Sequence, residues 1–85
     1  MNIPDEMNAG PQPLDAFMDG QTLRNHDLVA ASTTHLTHKE VAKARKGRRL
    51  TINTQRRVLE ALNTCLRTRE SAPVKVEEIF NYRGR

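Results

Sequence analysis

Tryptophan is absent, cysteine occurs once and aromatic residues make up 4% of the chain, so several kinds of protein drop out at once. A single thiol closes no internal disulfide, which excludes the cross-linked frameworks of small secreted domains. Phe17, Phe80 and Tyr82 are too few, and too far from the basic stretches, to form a stacking platform for single-stranded nucleic acid. There is no apolar run of the length that a membrane span or a secretory signal needs, and the chain is expected to be soluble, cytoplasmic and without a membrane partner. Catalytic patterns are missing too: no Ser/His/Asp order and no paired carboxylates emerge, and Cys65 has no identifiable activating base. The chain is therefore expected not to be an enzyme and to need no cofactor.

What is present is a short basic chain. Its 85 residues leave room for one domain of a few small elements, and such a domain buries only roughly 60–65% of its unfolded surface. With 36% apolar residues, the core has to come from Leu, Val, Ile and Ala. The formal charge of +4 points to an acidic partner. Its distribution says more: residues 1–20 hold four acids (Asp5, Glu6, Asp15, Asp19) and no base, whereas residues 36–69 hold ten bases against Glu40 and Glu60. That basic block is interleaved with Leu36, Val41, Leu50, Ile52, Val58, Leu59, Leu62 and Leu66 at helical spacings, which marks it as folded rather than a solvated tail.

Along the chain, residues 1–12 carry Pro4, Gly10 and Pro11 among polar residues and read as a flexible acidic tail. Pro13 suits a helical first turn, Leu14, Phe17 and Met18 share a face, and Gly20 offers a left-handed stop. Asn25 is a candidate N-cap for a second helix reaching about Thr33, with Leu28 and Ala31 on one side. Thr37 and Glu40 form a Thr-x-x-Glu capping box for a third helix, from about His38 to Lys46, that Gly47 closes. Thr51 or Asn53 starts a fourth and longest helix, to about Thr68, with a stripe of Val58, Leu62, Cys65 and Leu66. Beyond Pro73, Val74 and Val76 alternate like a strand while Val76, Ile79 and Phe80 fit a helical turn; an extended entry into a short helix is favoured. The fold class expected is all-α, a compact bundle of four to five helices. Residues 13–70 form its domain and residues 71–85 a C-terminal extension.

Within residues 26–63, two short helices joined by a three- or four-residue turn precede a basic glycine turn and another helix, the spacing of a helix-turn-helix. Ala31 is small where the two helices must approach, and Val41 faces inward. On these residues the chain resembles the lambda-repressor-like helix-turn-helix family, which includes the phage repressors and the Xre and Cro regulators, over about residues 14–82. The stretch Leu36-Thr-His-Lys-Glu-Val-Ala-Lys-Ala-Arg-Lys-Gly-Arg-Arg-Leu-Thr and the ending Phe80-Asn-Tyr-Arg-Gly are similar to the small Kor repressors of broad-host-range plasmids. The resemblance implies a lambda-repressor-like fold and repression of plasmid genes from a palindromic operator. It also implies that Thr37, His38, Lys39 and Lys43 reach base edges, and that Lys46, Arg48, Arg49, Thr51 and Asn53 grip the phosphate backbone. One departure is His35, at a turn position where the family often has glycine; histidine tolerates the left-handed region better than most residues.

The residue chemistry stands beside the likeness. Lys39 and Lys43 can donate to guanine O6 and N7, and His38 and Thr37 can donate or accept. Glu40 can accept from cytosine N4 or act as the cap, and the Thr37 spacing favours the cap. Arg45, Arg48, Arg49, Arg56 and Arg57 cannot all face bases, so several neutralise phosphates or remain solvated, as Arg67, Arg69 and Arg83 are expected to be. His26, His35, His38 and Cys65 are ligand types for zinc, but no metal site is expected, because no paired ligand spacing accompanies them. Since one such module covers a half-site, a homodimer is expected, with Val76, Ile79, Phe80 and Tyr82 as its surface unless they pack back on their own domain. The partner is then double-stranded DNA, with no small-molecule inducer and room for a cooperating co-repressor. A nonspecific nucleic-acid binder and a basic protein-interaction adaptor are the other readings open to this composition.

Overall fold

The computed structural model describes residues 9–84, and these form five helices with no strand among them. In chain order they are α1 (Pro13–Gly20), α2 (Asn25–Ala31), α3 (His38–Lys46), α4 (Ile52–Thr68) and α5 (Val76–Ile79). The all-helical architecture expected from the 3.6-residue periodicity is what the chain adopts. Helix α4 is the spine. Its Val58, Ala61, Leu62 and Leu66 are buried, and they share one core with Leu14 and Met18 of α1, Leu28 of α2, Val41 and Ala44 of α3 and Ile79 of α5. Aliphatic side chains supply this core, and Phe80 is the single aromatic ring that is fully within it.

Three helices end in the same way. After α1, α3 and α4 one residue enters the left-handed region and the next amide reaches back five residues. Leu23 N–H donates to the Met18 carbonyl at 2.8 Å, Arg48 N–H to Lys43 at 3.1 Å and Ser71 N–H to Leu66 at 2.8 Å. The left-handed residues are Thr22 (φ 58°), Gly47 (φ 96°) and Glu70 (φ 59°). Gly20, expected to be the stop after α1, is instead its last helical residue. The stop falls two residues later because Leu23 must follow it directly into the core, where it is buried beside Met18.

Other boundaries shift for similar reasons. Asn25 is the first residue of α2 rather than its cap; Arg24 holds that position, and its N–H donates to the Asp27 carboxylate at 2.8 Å. α2 stops at Ala31, two residues short of the Thr33 expected, because the Ser32 hydroxyl accepts from the amides of Thr34 and Leu36. In the C-terminal extension, residues 71–75 form no regular element before α5, where Lys75 is extended, and Asn63 of α4 holds Val74 by a paired amide contact at 2.9 and 3.1 Å.

Residues 1–8 of the expected tail lie outside the described residues. The last part of that segment is part of the fold. Ala9 N–H donates to the Gly47 carbonyl, Gln12 N–H donates to that of Arg45, and the buried Gln12 side chain bridges the Gly10 carbonyl to the Asn81 amide. Proline and glycine in this stretch shape a turn against α3. A composition-based reading cannot tell such a turn from a loose tail.

Candidate nucleic-acid interface

The connection between α2 and α3 decides how α3 is presented. Residues 32–37 cross it, a longer link than the three or four residues expected, with Leu36 buried beneath and His35 left-handed at φ 59°. A histidine, not a glycine, occupies this left-handed position. Thr37 then caps α3: its hydroxyl accepts from Glu40 N–H at 3.1 Å while the Glu40 carboxylate accepts from Thr37 N–H at 3.0 Å. Two short helices joined in this way, with α3 leaning on α1, α2 and α4, are consistent with a helix-turn-helix.

Val41 and Ala44 face the core, so the opposite side of α3 points to solvent. Lys39, Lys43 and Lys46 lie there at i, i+4 and i+7, all exposed, with Thr37 and His38 exposed at the helix start. The His38 ring stacks on His26 of α2, with centroids 5.9 Å apart and planes 18° apart. Beyond Gly47, Arg48 is exposed, whereas Arg49 is half-buried with its guanidinium over the Tyr82 ring, 5.3 Å from the centroid. Its Nε is buried and has no hydrogen-bond partner among the described residues. Thr51 is engaged as the cap of α4, its hydroxyl accepting from Thr54 N–H at 3.2 Å, and Asn53 stands exposed in the first turn. That turn contains no acidic side chain, so the positive end of the α4 dipole is uncompensated from within the helix.

Two arginines of the basic block are not available to a polyanion. Arg45 lies between α1 and α2. It donates to Asp15 and Asp19 at 2.6 Å each and to Asn25 at 2.8 Å. Arg57 reaches from α4 to Glu40 at 3.0 Å and to the Thr34 carbonyl at 2.8 Å. The sequence reading grouped both with phosphate-binding or solvated residues. It missed their role because the partners lie 17 to 30 positions away with no local signal. For Glu40, burial favours the neutral acid, but the Thr37 N–H and the Arg57 charge outweigh it and hold the carboxyl below the ordinary 4.5.

The expected dimer residues divide. Ile79 and Phe80 are buried in their own chain, where they close the core over α1 and α4, and they offer no surface to a partner. Tyr82 is half-buried and ties the extension to the basic loop: its hydroxyl accepts from Leu50 N–H at 3.0 Å and donates to the Arg48 carbonyl at 3.1 Å. Val76 remains half-exposed. With Ile52 and Leu59 it lines an open groove of about 720 Å³, which Arg56 of α4 and Glu77 of α5 also border. Cys65 is half-buried on α4, its thiol against the Asp27 carbonyl, and burial raises its pKa above the ordinary 9.0. Among the described residues no three His, Cys, Asp or Glu side chains gather as a metal site would require, and no helix is long and apolar enough to cross a membrane.

No protein-family model, curated protein or solved structure matches this chain.

Proposed function

We propose that this chain is a sequence-specific repressor that binds double-stranded DNA, with α3 in the major groove and the segment of residues 46–53, from the end of α3 to the first turn of α4, on the phosphate backbone. The observation that carries this reading is the outward face of α3: Lys39, Lys43 and Lys46 are exposed and have no acidic partner among the described residues, while Arg45 and Arg57 are held inside the fold. A face merely solvated for stability has no need of one sign of charge, and a helix of this width fits the major groove. The loop adds Arg48, Arg49 and Asn53 beside the α4 N-terminus, where backbone amides favour an anion. The likeness to the lambda-repressor-like family, and to the small Kor repressors within it, supports the same assignment and adds plasmid genes as its targets.

One module covers one half-site, so the functional unit is a two-fold dimer on a palindrome, with recognition helices about 34 Å apart. A second copy of the chain is the occupant that suits the groove of Ile52, Leu59 and Val76. Arg56 and Glu77 on the same face make it self-complementary in charge, as a two-fold contact requires. Bound across a promoter, such a dimer excludes polymerase, and occupancy follows protein concentration rather than an inducer. Selection from a random duplex pool tests the reading: a palindrome bound at least on the order of 10³-fold more tightly than random duplex is expected. Inserting about five base pairs between the half-sites turns one to the opposite face and should abolish tight binding. Equal affinity for every duplex favours a nonspecific binder instead, and no DNA binding at all favours a protein adaptor.

A further inference from the structure

Arg57 stands on α4, yet its guanidinium makes four hydrogen bonds into the turn and the start of α3. Nη1 and Nη2 donate to the Glu40 carboxylate at 3.0 and 3.3 Å, Nη2 to the Thr34 carbonyl at 2.8 Å and Nε to the Thr34 hydroxyl at 3.3 Å. Glu40 also accepts from Thr37 N–H at 3.0 Å and from the Thr37 hydroxyl at 3.3 Å. Of the four donors that Arg57 and Thr37 bring to this carboxylate, three converge on Oε1, which has two lone pairs, and the fourth, Arg57 Nη1, holds Oε2. With Oε1 filled and Oε2 held by Arg57, the Glu40 carboxylate is drawn toward α4 and the turn rather than presented to a cytosine N4 amine. Thr37 directs its own hydroxyl proton at Glu40, so that proton is not free for a base either.

Resting on the DNA-binding reading above, we propose that Arg57 is a positioning residue that keeps Glu40 out of base recognition, so that each half-site is read through guanine O6 and N7 by Lys39 and Lys43. The charged side chains left on the outward face of α3 are donors only, and guanine presents two adjacent acceptors in the major groove. Arg57 does this through geometry as well as charge. Its planar fork spans the Glu40 carboxylate and the Thr34 carbonyl together, which the point charge of a lysine cannot do.

Selection from a random duplex pool, run on the wild-type chain and on the Glu40→Gln, Arg57→Gln, Arg57→Lys and Lys39→Ala variants, tests the proposal. The wild-type pool should enrich guanine at positions that the Lys39→Ala pool no longer specifies. Glu40→Gln, which retains a capping side chain, should select the same bases as wild type. Arg57→Gln and Arg57→Lys release Glu40 and should lower guanine enrichment by about fivefold or more, with random-duplex affinity changed by less than about twofold. Thermal melting accompanies each variant, and Arg57→Lys gives the same contrast if Arg57→Gln fails to fold. A discrete base preference lost in Glu40→Gln would show that Glu40 reads DNA and overturn the proposal. So would equal weakening of the Arg57 variants on all duplexes with a salt slope lower by about one, the mark of a phosphate contact. Strong wild-type preference without guanine at those positions overturns this inference alone, whereas no preference at all overturns the functional reading beneath it.

Discussion

Single side chains on and around α3 divide by what already holds them. Lys39 is exposed and has no ion-pair partner among the described residues, so replacing it with alanine should cost about 1–3 kcal/mol on the selected operator and little on random duplex. Arg48, exposed in the loop, should behave otherwise: Arg48→Ala weakens both alike and lowers the slope of log affinity against log salt by about one. Equal losses for Lys39→Ala on the two DNAs would reverse its assignment. Glu40 adds a pH signature. Its folded-state pKa lies below 4.5, so its ionisation stabilises the native state above about pH 4.5, and that contribution is lost as pH falls through the folded value. Glu40→Gln should therefore show less acid destabilisation below about pH 4.5 than the wild-type chain, measured by denaturant midpoint against pH. Thr37, Glu40 and their capping box were legible from a four-residue pattern. The arginine that completes them was not, because nothing local distinguishes Arg57 from Arg56 beside it, which is exposed.

At the scale of elements, the three like helix endings give an internal comparison. Gly47 suits its left-handed φ of 96°, and a Cβ there would also meet the Gly10 carbonyl oxygen at 1.6 Å. Gly47→Ala should destabilise the fold by more than the roughly 1–2 kcal/mol of left-handed strain alone, since the segment of residues 9–12 must move as well. Thr22 occupies the equivalent site after α1 with a β-branched side chain, so Thr22→Gly should be neutral or stabilising, by up to about 1 kcal/mol. Thermal melting of the pair tests the shared motif; destabilisation by Thr22→Gly would mean that its side chain outweighs the strain. Sequence reading located α1, α3 and α4 well because each has an apolar stripe and a recognisable start. It misplaced the α1 stop for the same reason that it succeeded at Gly47: glycine was taken as the signal, whereas at Thr22 the burial of Leu23 decides.

For the molecule as a whole, the division of labour is electrostatic. Of the ten bases in residues 36–69, Arg45 and Arg57 are neutralised internally, so under the proposed DNA binding the remainder set the ceiling on phosphates engaged. Binding should weaken by on the order of 10³-fold or more between 50 and 200 mM salt, as six or more phosphate contacts across a dimer require. The proposed dimer surface is open to a direct check. Leu59→Glu places a charge in the groove and should yield a monomer by sedimentation with little change in melting; a dimer that survives puts the contact elsewhere. The C-terminal residues were the least legible part of the chain. Leftover apolar side chains signal burial but not by what, and Ile79 and Phe80 turn inward because α1 and α4 leave a place for them.

The bond between the Gln12 side chain and the Asn81 amide, 2.8 Å long, joins two points 69 positions apart and so brings the entry and the exit of the described chain together. Seen as a path, the backbone nearly closes on itself, and the native order of its ends is then a convention rather than a requirement. A circular permutant that links the present termini and opens at the exposed Ala72, between α4 and α5, should fold with its helices in the same places. If its circular dichroism is that of an unfolded chain, the Ser71 and Val74 backbone contacts to α4 need an unbroken connection through that loop, and the closed path is not sufficient.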